Sequence, residues 1–240
     1  MAPAWDIFAG GAPVPVLDAG ECADICARLT ALSQHWTPRK ALENQEHVFH
    51  TLGAATYLDP PAIYAREMAR ANPFLDANFA DLYAKVAAAI EAATGMPARP
   101  ADGLGHPGFH IFRGEPRVPP GLMFGGTVHM DKPHERHEFP FAIAGTLSLT
   151  LPVAIPACGA GMYYWTDVPG DLLTGPKAPH AMSAEQYRWF DTTKQFVGYT
   201  SGDMVLHDGL TVHQLANPGP TRADEHRISL QGHGVLGEGV

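Results

Sequence analysis

From residue 108 to its end the chain is cut by glycine and proline into short apolar runs, and that punctuation restricts its fold more than any other feature. Phe109–Arg113, Thr127–Asp131, Ala144–Leu151, Gly161–Thr166, Phe196–Tyr199, Met204–His207, Val212–Leu215 and Arg227–Gln231 are each too short for a stable helix and long enough for a strand. Several alternate polar and apolar residues, which in a strand sends neighbours to opposite faces. About eight strands in succession predict a mainly β architecture with a double-stranded β-helix core, a cupin-like jelly roll in which two sheets share one interior.

The N-terminal part reads differently. Glu21–His35 carries apolar residues at Cys22, Ile25, Cys26, Leu29 and Leu32, a helical period, with Asp18 or Gly20 as its start. Pro61–Ala71 and Phe74–Thr94 read as two further helices, the second closed by Gly95 and Pro97, with a strand expected within Val48–Leu58. These elements predict N-terminal helices over residues 1–107 that buttress a double-stranded β-helix core over residues 108–240, the two integrated rather than separate. Residues 167–195 form an irregular insertion with a helical stretch at Ser183–Phe190, expected either as a lid over the site or as a cover on one sheet.

Composition narrows the partners. A formal charge of −9 argues against a nucleic-acid surface, and no apolar stretch is long enough to span a bilayer, so a small-molecule substrate is expected, with no nucleic acid and no membrane. Met1–Asp6 lacks a basic segment followed by an apolar run, and Cys22, Cys26 and Cys158 are too few for a disulfide scaffold. The cytoplasm is the expected compartment.

The chemistry-bearing residues fall inside the strands. On Thr127–Asp131, His129 and Asp131 share one face while Val128 and Met130 share the other. With His213 on a later strand they supply two imidazoles and one carboxylate, a set that suits Fe(II) and leaves coordination positions open. On His226–Gln231, Arg227, Ser229 and Gln231 share a face, and a guanidinium beside a hydroxyl is a receptor for a carboxylate. His134, His137 and Glu138 form a rival ligand cluster in a charged loop. His106, His110, His180 and His233 lack partner spacing and read as ordinary structural histidines.

At these residues, over about positions 108 to 235, the chain resembles the 2-oxoglutarate-dependent non-haem Fe(II) oxygenases, whose signature is His-x-Asp, a distal His, and Arg-x-Ser about a dozen residues later. The resemblance implies Fe(II) held by His129, Asp131 and His213, and 2-oxoglutarate held by Arg227 with Ser229. It implies an enzyme that consumes O2 and 2-oxoglutarate, releases succinate and CO2, and hydroxylates an unactivated C–H bond of a small molecule such as an amino acid or secondary metabolite. Related halogenases replace the carboxylate ligand with a small residue, so Asp131 favours hydroxylation over chlorination. Desaturation or cyclisation by the same chemistry, and a cupin-like Fe(II) oxidase that uses no 2-oxoglutarate, are the alternatives.

Further contacts are expected from the strand faces. Thr146, Ser148 and Thr150 form a polar face opposite Leu147, Leu149 and Leu151, and Ser148 is expected to meet 2-oxoglutarate. Arg113, at the end of the strand from Phe109, is the candidate for a substrate carboxylate. Tyr164 and Trp165 are substrate candidates of which only one can face the cavity, because they are adjacent on a strand.

Overall fold

The computed structural model describes residues 3–40, 48–114, 120–132, 135, 137–139, 141–172, 175–217 and 219–237. Among the described residues ten strands carry the fold: β1 (Val14–Pro15), β2 (Thr37–Lys40), β3 (Val48–Leu52), β4 (Gly108–Arg113), β5 (Ile143–Ala154), β6 (Gly161–Trp165), β7 (Gln195–Gly198), β8 (Asp203–His207), β9 (Val212–Ala216) and β10 (His226–Gly237). Their pairings are antiparallel, and they form a seven-stranded sheet in the order β1-β8-β5-β10-β4-β3-β2 and a three-stranded sheet β7-β6-β9. Backbone bridges His129–His213 and Val128–Lys177 extend the small sheet. This is the double-stranded β-helix expected from the spacing of the strands.

Three strands of the large sheet come from the N-terminal part, so residues before 108 complete that sheet as well as covering it. The covering helices are α1 (Ala19–Ala31) and α2 (Pro61–Thr94). Asp18 starts α1 through a reciprocal capping box with Glu21, the arrangement that satisfies two otherwise orphaned N–H groups. Where the sequence predicts two helices separated at Asn72-Pro73, the structure carries α2 through Pro73 and breaks its geometry at Phe79 (φ −140°). Packing overrides the local preference: Leu75, Phe79, Leu82 and Val86 are all buried against the sheet, each worth about 1.5–3 kcal/mol of transfer free energy. Gly95 ends the helix at φ +73°, a conformation that costs glycine little.

The large sheet therefore has two different faces. Toward the helices it presents Phe109 and Ile111 of β4, Leu147, Leu149, Leu151 and Val153 of β5, and Ile228 and Leu230 of β10, in one continuous core. Toward the small sheet it presents the residues between them, His110, Thr146, Ser148, Thr150 and Ser229, all buried and all polar. A buried polar surface of this kind is retained only when partners satisfy it.

The insertion after β6 packs on the far side of the small sheet. Its helix α3 (Ala184–Thr193), capped by Ser183, seats Phe190 against Trp165, Val128, Val212 and Leu122. That is the face opposite His129 and His213, so the described residues of the insertion form a cover on the sheet and not a lid over the ligands. Among the described residues no helix is long and apolar enough to cross a membrane.

Candidate metal centre

His129 lies alongside β9, where it and His213 exchange both backbone hydrogen bonds at 2.9 Å, while Val128 bonds Lys177 on its other side. Direct opposition in an antiparallel pair puts the two side chains on the same face, with ring centroids 4.5 Å apart. Each ring is then oriented by its own strand: His129 Nδ1 donates to Thr127 O and His213 Nδ1 to Thr211 O, both at 2.8 Å. A carbonyl only accepts, so Nδ1 carries a proton, and in the neutral ring the Nε2 lone pair is free, which is the tautomer a metal needs. Both Nε2 atoms stand 3.4 Å from an oxygen of Asp131.

Among the described residues His129, Asp131 and His213 are the one gathered group of metal-ligating side chains, with ligand atoms within 4.8 Å of one another. Burial would raise the Asp131 carboxyl, but the neighbouring His233, His213 and His129 outweigh it and hold it well below the usual carboxylate range. Burial lowers His213 to about 3, so that ring is neutral at ordinary pH. Burial lowers His129, but the hydrogen bond and charge of Asp131 outweigh it and raise that ring above its ordinary value, so a metal displaces a proton there. An ionised carboxylate with two imidazoles fits a divalent ion such as Fe(II), Co(II) or Mn(II), with positions left over for other ligands. Of the rival cluster, His134 lies outside the described residues, while His137 packs beside Tyr64 with ring centroids 5.8 Å apart.

Surroundings differ on the two sides of the triad. Beside His213 the site is closed by a segment the sequence did not single out: Phe8, in a 3-10 turn at Ile7–Ala9, stacks on Tyr164 at 4.4 Å and lies 4.7 Å from the ring of His207. His207 is itself buried and bonds through Nδ1 to Asp208 O. Beside His129, whose side chain is 30% exposed, the site is open, and His233 and the half-exposed ring of Tyr57 stand at that opening.

Arg227 reaches from β10 across the interior to the small sheet, donating to Ala216 O at 3.1 Å and Gly161 O at 3.5 Å. Its guanidinium lies between the rings of Phe112 and Tyr199, 5.7 and 5.5 Å from their centroids. Among the described residues its buried Nε has no partner and no carboxylate forms an ion pair with it. Burial lowers its pKa from the usual value, the cost of holding a cation away from water without a counter-charge. Ser229 is buried on the same face, where its hydroxyl accepts from Gln231.

The remaining candidates divide by strand face. Ser148 donates to Asp131 Oδ2 at 2.7 Å, a contact within the triad's own support and not the one expected for it. Arg113 is exposed and shares the helix-side face of Phe109 and Ile111; the cavity face of β4 belongs to His110 and Phe112, so the expected cation is displaced from the interior. Tyr164 pairs with His213 in register and faces inward, whereas Trp165 packs outward and donates to Phe190 O. His110 and His233, read from sequence as ordinary, both line the interior: the Tyr57 hydroxyl bonds His110 Nε2, and His233 Nδ1 lies 3.6 Å from Asp131 Oδ2.

No protein-family profile and no curated protein sequence matches the chain. Solved structures with a similar course of chain include AviO1 from Streptomyces viridochromogenes Tue57, at 15% identity over 95% of this chain and 89% of that one, with a TM-score of 0.49. An oxidoreductase of the 2OG-Fe(II) oxygenase family from Burkholderia pseudomallei gives 12% identity over 91% and 80%, with a TM-score of 0.49. The epimerase SnoN in complex with Fe3+, alpha ketoglutarate and nogalamycin RO gives 18% identity over 95% and 81%, with a TM-score of 0.45.

Proposed function

We propose that the chain is an Fe(II)- and 2-oxoglutarate-dependent oxygenase that hydroxylates an unactivated C–H bond of a small molecule. The observation that carries this reading is the combination, in one interior between facing sheets, of the His129, Asp131 and His213 triad with a buried guanidinium that has no counter-ion among the described residues. A metal alone gives Arg227 no task, whereas a dicarboxylate that reaches the metal at one end supplies the missing negative charge at the other. Bound Fe(II), 2-oxoglutarate and O2 supply the oxidising chemistry, with succinate and CO2 as co-products.

The chain's own residues then have defined tasks. His129 and His213 offer Nε2 lone pairs in a fixed tautomer, and Asp131 offers an anionic oxygen. Arg227 and Ser229 hold the distal carboxylate, with Phe112 and Tyr199 setting the plane of the guanidinium. Phe8 and Tyr164 keep water from the His213 side, so the substrate approaches past His129, His233 and Tyr57. Purified protein given Fe(II), 2-oxoglutarate and O2 is expected to form succinate, and His129→Ala to abolish it. Absence of succinate from the wild-type protein across a broad panel of small molecules, or undiminished formation in His129→Ala, contradicts the reading.

A further inference from the structure

We infer that Ser148 and His233 are a positioning pair for Asp131, tying Oδ2 so that Oδ1 is the oxygen left for the metal; this rests on the metal centre described above. Ser148 and His233 are direct cross-strand partners on β5 and β10, in the large sheet, while Asp131 follows the segment paired with the small sheet. The contact therefore joins the two sheets. An ionised carboxylate can only accept, so the Ser148 hydroxyl spends its single proton on Oδ2 at 2.7 Å. His233 Nδ1 lies 3.2 Å from the same hydroxyl, to which an Nδ1–H donates and so orients it toward Oδ2, and stands 3.6 Å from Oδ2 itself, beyond hydrogen-bond reach.

The opposite side of Asp131 is held by backbone. Its N–H donates to Gly209 O at 2.7 Å, and a Cβ at Gly209 would stand 3.0 Å from Asp131 O, 3.2 Å from Asp131 Cβ and 3.1 Å from Ser148 Oγ. Turning the carboxylate to present both oxygens to a metal breaks a charge-assisted hydrogen bond inside a site with no slack. One-oxygen ligation leaves the coordination positions that further ligands require. It also accounts for Ser148 and His233 together, which neither a packing role nor direct contact with a co-substrate does.

The test is Co(II) binding to the metal-free protein, measured by competition with a chelator, alongside thermal unfolding of the metal-free protein and the intensity of the Co(II) visible bands, which report coordination number. Ser148→Ala is expected to weaken Co(II) by about 10-fold or more, the usual consequence of losing an outer partner of a ligand, and to change the band intensity. His233→Asn, whose amide nitrogen takes the place of Nδ1, is expected to keep near wild-type affinity, while His233→Leu weakens it, with little change in metal-free unfolding for either. If Ser148→Ala fails to fold, the two His233 variants decide. Wild-type Co(II) affinity and bands in Ser148→Ala, or equal losses in the Asn and Leu variants, overturn the inference alone. A wild-type protein that takes up no Co(II) overturns the metal centre itself.

Discussion

Arg227 and the triad were legible residue by residue because their chemistry is written in local spacing. His129 and Asp131 differ by two, as do Arg227 and Ser229, and a period of two fixes a shared face wherever the backbone is extended. His233 was not legible, although it lies on the same face of β10 as Arg227 and Ser229. Gly232 and Gly234 flank it, and glycine weakens the strand signal, so the strand reads as ending at Gln231 while it continues to Gly237. Phe8 and Tyr57 were missed for another reason, since their contacts with the site join distant parts of the chain.

The proposed anion anchor, Arg227, gives the sharpest prediction at this scale. Arg227→Ala is expected to weaken 2-oxoglutarate on the order of 100-fold, as truncation of one partner of a buried charge pair does, and to leave Co(II) affinity little changed. Arg227→Lys is expected to recover only part of the loss, because an ammonium cannot reproduce the planar fork. Isothermal titration of 2-oxoglutarate into the Co(II) protein measures both. Equal affinity in Arg227→Ala and wild type removes the co-substrate from the account.

At the scale of elements, the surprise is which segments border the site. The insertion carrying α3 has the length of a lid, yet its apolar side chains pack on the outer face of the small sheet. Sequence periodicity shows that α3 is amphipathic but not which sheet face it meets. Phe190→Ala is expected to cost about 3–5 kcal/mol of stability by chemical denaturation while Co(II) affinity in the folded protein stays within a few-fold of wild type. A large loss of metal affinity in folded Phe190→Ala would restore a direct role for the insertion.

The loop between β3 and α2 is the better candidate for shaping the opening. Arg39 on β2 donates to both oxygens of Asp59, at 2.5 and 3.1 Å, and through Nε to Thr51, while Asp59 accepts from Ala55 N–H. Asp59 is buried, so this ion pair fastens the loop bearing Tyr57 to the large sheet. Breaking it by Arg39→Ala leaves an uncompensated buried charge and is expected to cost about 3–5 kcal/mol in denaturant unfolding. A loss under about 1 kcal/mol, the ordinary worth of an exposed pair, would show that the clamp does not hold the loop.

For the whole molecule, the burial of polar groups between two sheets sets the response to pH. Burial lowers His110 from 6.5 to about 3, with the neighbouring His233, Arg39 and Arg227 acting in the same direction. Below pH 6.5 the unfolded chain takes up a proton that the native ring refuses, so the unfolded state binds more protons. Stability from this group is complete above pH 6.5 and is lost as the pH falls toward 3. His213 behaves alike in the metal-free protein. The melting temperature of the metal-free protein is expected to fall through that window, and His110→Gln to fall less steeply; identical slopes would contradict the burial of His110 as a neutral ring.

The two-sheet architecture was legible in the punctuation of the chain after residue 108, because short alternating runs each offer one apolar face to a core. The contributions of β1, β2 and β3 were less so, since two- and four-residue strands at the edges of a sheet carry almost no periodic signal. The central claim is that one interior binds a divalent metal and a dicarboxylate together. Anaerobic titration of 2-oxoglutarate into the Fe(II) protein tests it most directly. A weak visible charge-transfer band that saturates with 2-oxoglutarate, and is lost in Arg227→Ala at the same concentration, is the predicted result; Fe(II) protein that shows no band at saturating 2-oxoglutarate contradicts the account.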